Sequence, residues 1–131
     1  MTGPRTLAEH VGPTLRAAAK EAGRPHHAVR VVASLPVSVT DDVDSTRDHA
    51  AEQFAIYGRL PSYRAMLDRE GYAGPQDAAL TGDEKAVAGR LDELRAARVD
   101  EFVGLPFGHS PEDRAHTHAL LHAYASDQRE C

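Results

Sequence analysis

The segment from Ala79 to Gly108, ALTGDEKAVAGRLDELRAARVDEFVGLPFG, constrains this chain more than any other. It reads as a capped amphipathic helix, a short turn, and a strand that ends in Gly-Leu-Pro-Phe-Gly. Val87, Leu91 and Leu94 recur at the three- and four-residue steps of one helical face. Thr81 and Glu84 stand at capping-box spacing ahead of that face. A helix that feeds straight into an apolar strand is one unit of a parallel α/β fold, because parallel strands are joined by helical crossovers. The strand is expected over Glu101 to Leu105, closed by Pro106.

The rest of the chain supplies one clear companion strand. Val29 to Val39, VRVVASLPVSV, is rich in β-branched residues and nearly continuous in apolarity, as in a strand covered on both faces. Pro36 within it removes one ladder donor, which predicts an edge, a bulge or the end of regular pairing. Before this strand, Pro4 opens a helix with Leu7, Val11, Leu15, Ala18 and Ala22 as its apolar stripe, closed by Gly23 and Pro25. After it, Thr40 reads as an N-cap followed by Asp41, Asp42 and Asp44 near the positive end of a helix that reaches Tyr57. Short helical pieces follow Pro61 and Gly74-Pro75. Ser110-Pro111 starts a last helix carrying Leu120, Leu121 and Tyr124, and residues 126–131 read as a frayed tail. The predicted order is helix, strand, helical excursion, helix, strand, helix. Two parallel strands do not make a stable sheet alone. Further strands, a partner chain or an unusual helical cover must complete the fold.

Composition narrows the class. The 131 residues suit one domain, with 41% apolar and 27% charged residues. A net charge of −5 and the lack of any long basic run argue against nucleic-acid binding. No apolar run approaches the roughly 20 residues of a membrane span, and no secretory signal pattern opens the sequence. The single cysteine, Cys131, forms no intrachain disulfide. A cytoplasmic setting is the expectation.

Four blocks in order carry a family resemblance: MTGPRTLAEHVGPTLRAAAKEAGRP, RVVASLPVSVTDDVD, AEQFAIYGRLPSYRAMLDREG and LTGDEKAVAGRLDELRAARVDEFVGLPFG. Together the sequence resembles the C-terminal part of the luciferase-like monooxygenase superfamily, and within it the actinobacterial F420-dependent oxidoreductases. The resemblance implies a partial (β/α)8 barrel, roughly half the usual length or less. Residues 29–39 would be the seventh strand, residues 101–105 the eighth, and residues 41–80 a helical insertion, all within one unit spanning 1–125. Arg98 departs from the family pattern, which has Gly between helix and strand at that point. That position asks for a left-handed backbone, which costs a non-Gly residue on the order of 1 kcal/mol.

The resemblance also implies the chemistry: hydride transfer between coenzyme F420, or alternatively FMN, and a small organic substrate. The ring-gripping strands and the catalytic acid or base belong to earlier parts of such barrels, so no catalytic residue is assigned here and the chain is expected to be inactive alone. Thr2 and Gly3 would approach the cofactor. Tyr57, Tyr63 and Met66 would form a lid over the substrate, with Phe107 and His109 beside it after the last strand. Asp41 and Asp42 are better explained as capping residues. His118 and His122 share a helical face, but nothing near them in sequence completes a metal site, and none is expected. The alternative is a non-catalytic interaction module that completes a barrel by self-association or with a separate N-terminal half, since an unfinished parallel sheet leaves edges open to pairing.

Overall fold

β1 (Val32–Val39) is the centre of a three-stranded parallel sheet with strand order β2-β1-β3. The computed structural model describes residues 1–129. α1 (Pro4–Thr6), a π-helical turn (Leu7–Val11) and α2 (Gly12–Glu21) run as one continuous helix. The widened turn has a local cause. The Gly12 N–H reaches back to the Leu7 carbonyl, five residues earlier, immediately before Pro13, which has no N–H to donate. After β1 come α3 (Val43–Gln53), a 3-10 turn (Ala55–Gly58), α4 (Pro61–Glu70) and α5 (Pro75–Ala78). β2 (Leu80–Gly82), α6 (Glu84–Ala96), β3 (Glu101–Pro106) and α7 (Pro111–Arg129) complete the order.

Several sequence expectations are corrected. β1 starts at Val32 rather than Val29, because His26–Ala28 forms a 3-10 turn. A third strand, β2, lies where only a helix cap was expected, with Thr81 paired to Ser38. The N-cap of α6 is therefore Asp83, whose carboxylate accepts the Ala86 N–H at 2.7 Å. Asp42, not Thr40, caps α3 by accepting the Ser45 N–H at 3.2 Å, while Thr40 Oγ1 accepts from the Asp42 N–H at 3.1 Å. The last helix runs through Arg129 and so includes the first four residues of the expected tail, and residues 130–131 lie outside the described residues. Gly23, by contrast, takes the expected left-handed conformation (φ 66°), and so does Arg98 (φ 60°).

The register of β1 explains why Pro36 is tolerated. Odd-numbered residues face β3: the Val37 carbonyl accepts from the Phe107 N–H, and the Val31 carbonyl from those of Asp100 and Glu101. Even-numbered residues face the β2 side, where the Thr40 N–H reaches the Gly82 carbonyl. β2 pairs only with Val37 to Val39. The missing donor of Pro36 thus points at a stretch of edge that no strand covers.

The two faces of the sheet differ. Ala33, Leu35, Val37, Val39 and Leu80 form the main core with Val87, Leu91 and Leu94 of α6, and Leu120, Leu121 and Tyr124 of α7 pack on it. Thr117 of α7 is fully buried and accepts the Val39 N–H at 2.9 Å, beyond the reach of β3. The other face is covered only near the C-terminal ends of the strands, where Ala79 and Phe107 meet Ala50 and Phe54. Further down it lies bare, with Val32 54%, Val103 41% and Leu105 50% exposed. The sheet observed is three-stranded and open, and a closed barrel is not formed by the described residues. None of their helices is long and apolar enough to cross a membrane.

Two predictions follow from local geometry. Arg98→Gly relieves the left-handed strain and should raise stability by on the order of 1 kcal/mol; a fall in melting temperature by circular dichroism would refute the strain. Asp77 ties α5 to its surroundings by accepting from Arg47 and from the Ala73 N–H at 2.9 Å. Burial pushes its carboxyl up, but the Arg47 hydrogen bond, the backbone donors and the Arg47 charge together hold it below its ordinary 3.8. Its stabilisation is present above that ordinary value and is lost as pH falls through the lower folded one. In denaturant titrations, Asp77→Asn should be less stable than wild type at pH 7, and the gap should close below pH 3.8.

Candidate functional site

The C-terminal ends of β1 and β3 carry a continuous run of ring contacts. β3 leads into Phe107, which is buried, and then Gly108 and His109. The chain needs glycine at 108: φ is 151°, and a Cβ there would stand 3.1 Å from Asp113 Cβ and 3.3 Å from Ser38 Oγ. The tight turn throws His109 back over α3. Its Nε2 lies 3.2 Å from both the hydroxyl and the carbonyl oxygen of Ser45. A carbonyl only accepts, so Nε2 carries a proton, and the neutral ring keeps Nδ1 as its acceptor. The His109 ring lies 4.5 Å from that of His49, and His49 stacks on Phe107 at 6.4 Å. Phe107 meets Phe54 edge-on at 5.7 Å, Phe54 meets Tyr57 at 6.4 Å, and Tyr57 meets Tyr63 edge-on at 4.8 Å.

Four of the five lid and pocket residues expected from sequence therefore share one ring chain: Tyr57, Tyr63, Phe107 and His109. Met66 is buried in α4, three residues beyond Tyr63. Ser45, His49 and Phe54 complete the arrangement. Sequence reasoning gave no site role to Ser45, His49 or Phe54. The available signal was the four-residue spacing of Ser45 and His49, which puts both on one face of α3.

Thr2 and Gly3 lie elsewhere. Thr2 lines a shallow groove with Met1, Leu7 and residues 31–34, along the opposite end of β1. Gly3 is the N-cap of α1, where a Cβ would collide with the Glu70 carboxylate. That carboxylate accepts from the Thr6 N–H at 2.6 Å and the Arg5 N–H at 3.3 Å, so a side chain of α4 already fills the anion position of this helix start.

Charge at the rim has one sign. α3 and α7 both begin there, and both begin with acids: Asp42 and Asp44 in one, Glu112 and Asp113 in the other. The nearby cations are engaged, Arg47 with Asp77 and Arg114 with the Gly108 carbonyl at 3.2 Å. His116, His118 and His122 are exposed, and the described residues contain no cluster of three or more His, Cys, Asp or Glu side chains able to hold a metal ion.

A parallel sheet with aromatic and imidazole side chains gathered over the carboxyl ends of its strands defines the α/β class that builds sites on strand-end loops. The family model described as luciferase-like monooxygenase matches residues 1–126, and the chain belongs to that family. No curated protein matches the sequence. Family members are oxidoreductases that use a flavin or F420, and membership gives this chain that general type.

Phe107→Ala tests the keystone of the ring chain. Loss of a buried phenyl group should cost about 3 kcal/mol and should broaden or shift the His49 and His109 ring signals in proton NMR. Unchanged ring signals would show that Phe107 does not hold the chain together.

Proposed function

We propose that this chain forms the closing units of a cytoplasmic oxidoreductase barrel that transfers hydride between F420 and a small organic substrate. FMN is the alternative cofactor. The observation that carries the reading is the ring chain laid across the carboxyl ends of two parallel strands, the end at which barrel enzymes place their chemistry. Tyr57, Tyr63, Phe107 and His109 wall the substrate side. Thr2 and Gly3 remain the proposed cofactor contacts in a closed barrel. His109 presents Nδ1 as a hydrogen-bonding atom, and Ser45 orients it.

Both cofactors combine a flat ring with an anionic tail, and the residues present suit only the first part. The ring chain offers apolar and aromatic walls. Arg47 and Arg114 at the rim are already engaged, the starts of α3 and α7 are capped by Asp42 and Ser110, and acids flank them. The tail and the hydride-transfer geometry must come from groups outside the ring chain. The bare face at Val32, Val103 and Leu105 supports the same view, since inward-facing residues of a barrel are filled by the opposing strands.

The expected result is no F420 or FMN binding tighter than millimolar when this chain is titrated alone, followed by cofactor fluorescence. Joined to the strands that cover the bare face, through any in-frame upstream coding sequence, it should bind at micromolar concentration and turn over. Micromolar binding by the chain alone would overturn this placement of the cofactor site.

A second reading keeps the sheet and drops the chemistry: an interaction module whose partner is another copy or a separate N-terminal half. The open outer edge of β3 favours it, because an uncovered row of backbone donors and acceptors is a template for pairing. Size-exclusion chromatography with light scattering separates the readings. A monomer with one cooperative unfolding transition counts against a required partner.

A further inference from the structure

The helix-covered side of the molecule holds a feature that hydride transfer does not use. Between α6 and α7, over the first half of β3, runs a groove of about 860 Å³. That volume falls within the few-hundred to thousand Å³ range of small-molecule sites. Along α7 the lining extends from His118 to Gln128, about 15 Å at the helical rise. Leu94, Phe102 and Leu121 give it an apolar floor, with Leu94 fully covered beneath.

The charged groups around this floor are unequally engaged. Asp100 Oδ2 accepts the Val31 N–H at 2.7 Å, and Glu101 Oε2 is paired with Arg30 at 3.0 Å. Asp92, three residues before Arg95, accepts from the Tyr124 hydroxyl at 2.6 Å. Burial, followed by this bond and the Asp92 charge, pushes the Tyr124 hydroxyl up to about 12, so it stays a donor to Asp92 across the neutral range. Arg95, His118 and His122 also line the groove, and none of them forms an ion pair within 4 Å among the described residues.

We propose that this groove binds an aliphatic carboxylate. The hydrocarbon chain lies on Leu94, Phe102 and Leu121, and the head group meets the Arg95 guanidinium, whose planar fork matches a carboxylate. His118 and His122 flank it from the facing helix. The site is separate from the ring chain and stands or falls independently of the oxidoreductase reading.

The test titrates the methyl-labelled protein with octanoate and, separately, with octan-1-ol, followed by NMR. Octanoate should shift the Leu94 and Leu121 methyl signals saturably. Arg95→Gln, a change at an exposed helix position, should weaken octanoate about tenfold and leave octan-1-ol unaffected. Ala125→Trp, which fills the groove from α7, should abolish both. The proposal is overturned if octanoate shows no saturable binding, if Arg95→Gln leaves its affinity unchanged, or if the shifts fall on Val32 and Leu105 of the bare face instead.

Discussion

The structure depends on how β1 divides its hydrogen bonds. A strand presents alternate residues to its two neighbours, and here the halves are used unequally. Odd residues meet β3 along most of the strand, whereas even residues meet β2 only over the last three positions. The side chains at Leu35 and Val37, fully buried at this centre, hold α6 and α7 on one face. What the ladder leaves unpaired is supplied by Thr117, whose hydroxyl takes the Val39 N–H where β3 has already ended. An α-helical side chain thus stands in for a strand. This fixes α7 against the carboxyl end of the sheet and, through Asp113 and the turn at Gly108, fixes His109 as well.

Much of this was legible in the amino-acid pattern, and the failures have physical causes. β1 and β3 were visible because each is a run of β-branched and apolar residues bounded by turn residues. β2 was not, because a strand of three residues, Leu80-Thr81-Gly82, is shorter than any periodicity can register. Its absence from the reading then displaced a cap: with Thr81 free, the capping box starting there looked sound, although Asp83 does the capping. The same two-residue displacement occurred at Thr40 and Asp42, where two competent caps lie side by side and the backbone of the strand end decides between them. Arg98 shows the reverse. A residue that breaks an expected Gly marked a left-handed position, and the backbone confirms it at φ 60°.

The candidate site was legible by residue type and position after a strand, not by partnership. Phe107 and His109 follow β3 directly, and Tyr57 and Tyr63 are two of the four aromatic residues of the excursion, with Phe54 and Tyr72. For their linking groups, Ser45 and His49, the four-residue spacing shows a shared helix face but not the partner, since Ser45 lies 64 residues from the His109 it orients. Nothing near Thr2 and Gly3 in the sequence announced the Glu70 carboxylate of α4, which reaches the first helix from 64 residues away. The acidic rim has a simpler origin. In a parallel unit every strand end is soon followed by a helix start, and helix starts favour acids. Several helix caps therefore collect at one end of the sheet, and the rim becomes inhospitable to phosphate without any selection for that property being required.

Pro36 has a further effect on how this chain meets its own kind. The uncovered stretch of β1 offers amide donors at Val32 and Ser34 and then none at 36, so a stray strand creeping along that margin would lose its footing just before reaching β2. The imino ring therefore acts as a gatekeeper against amyloid-like zippering on one flank. The far flank of β3 lacks such a guard over Glu101 to Gly104, and soluble handling of the protein will be decided there.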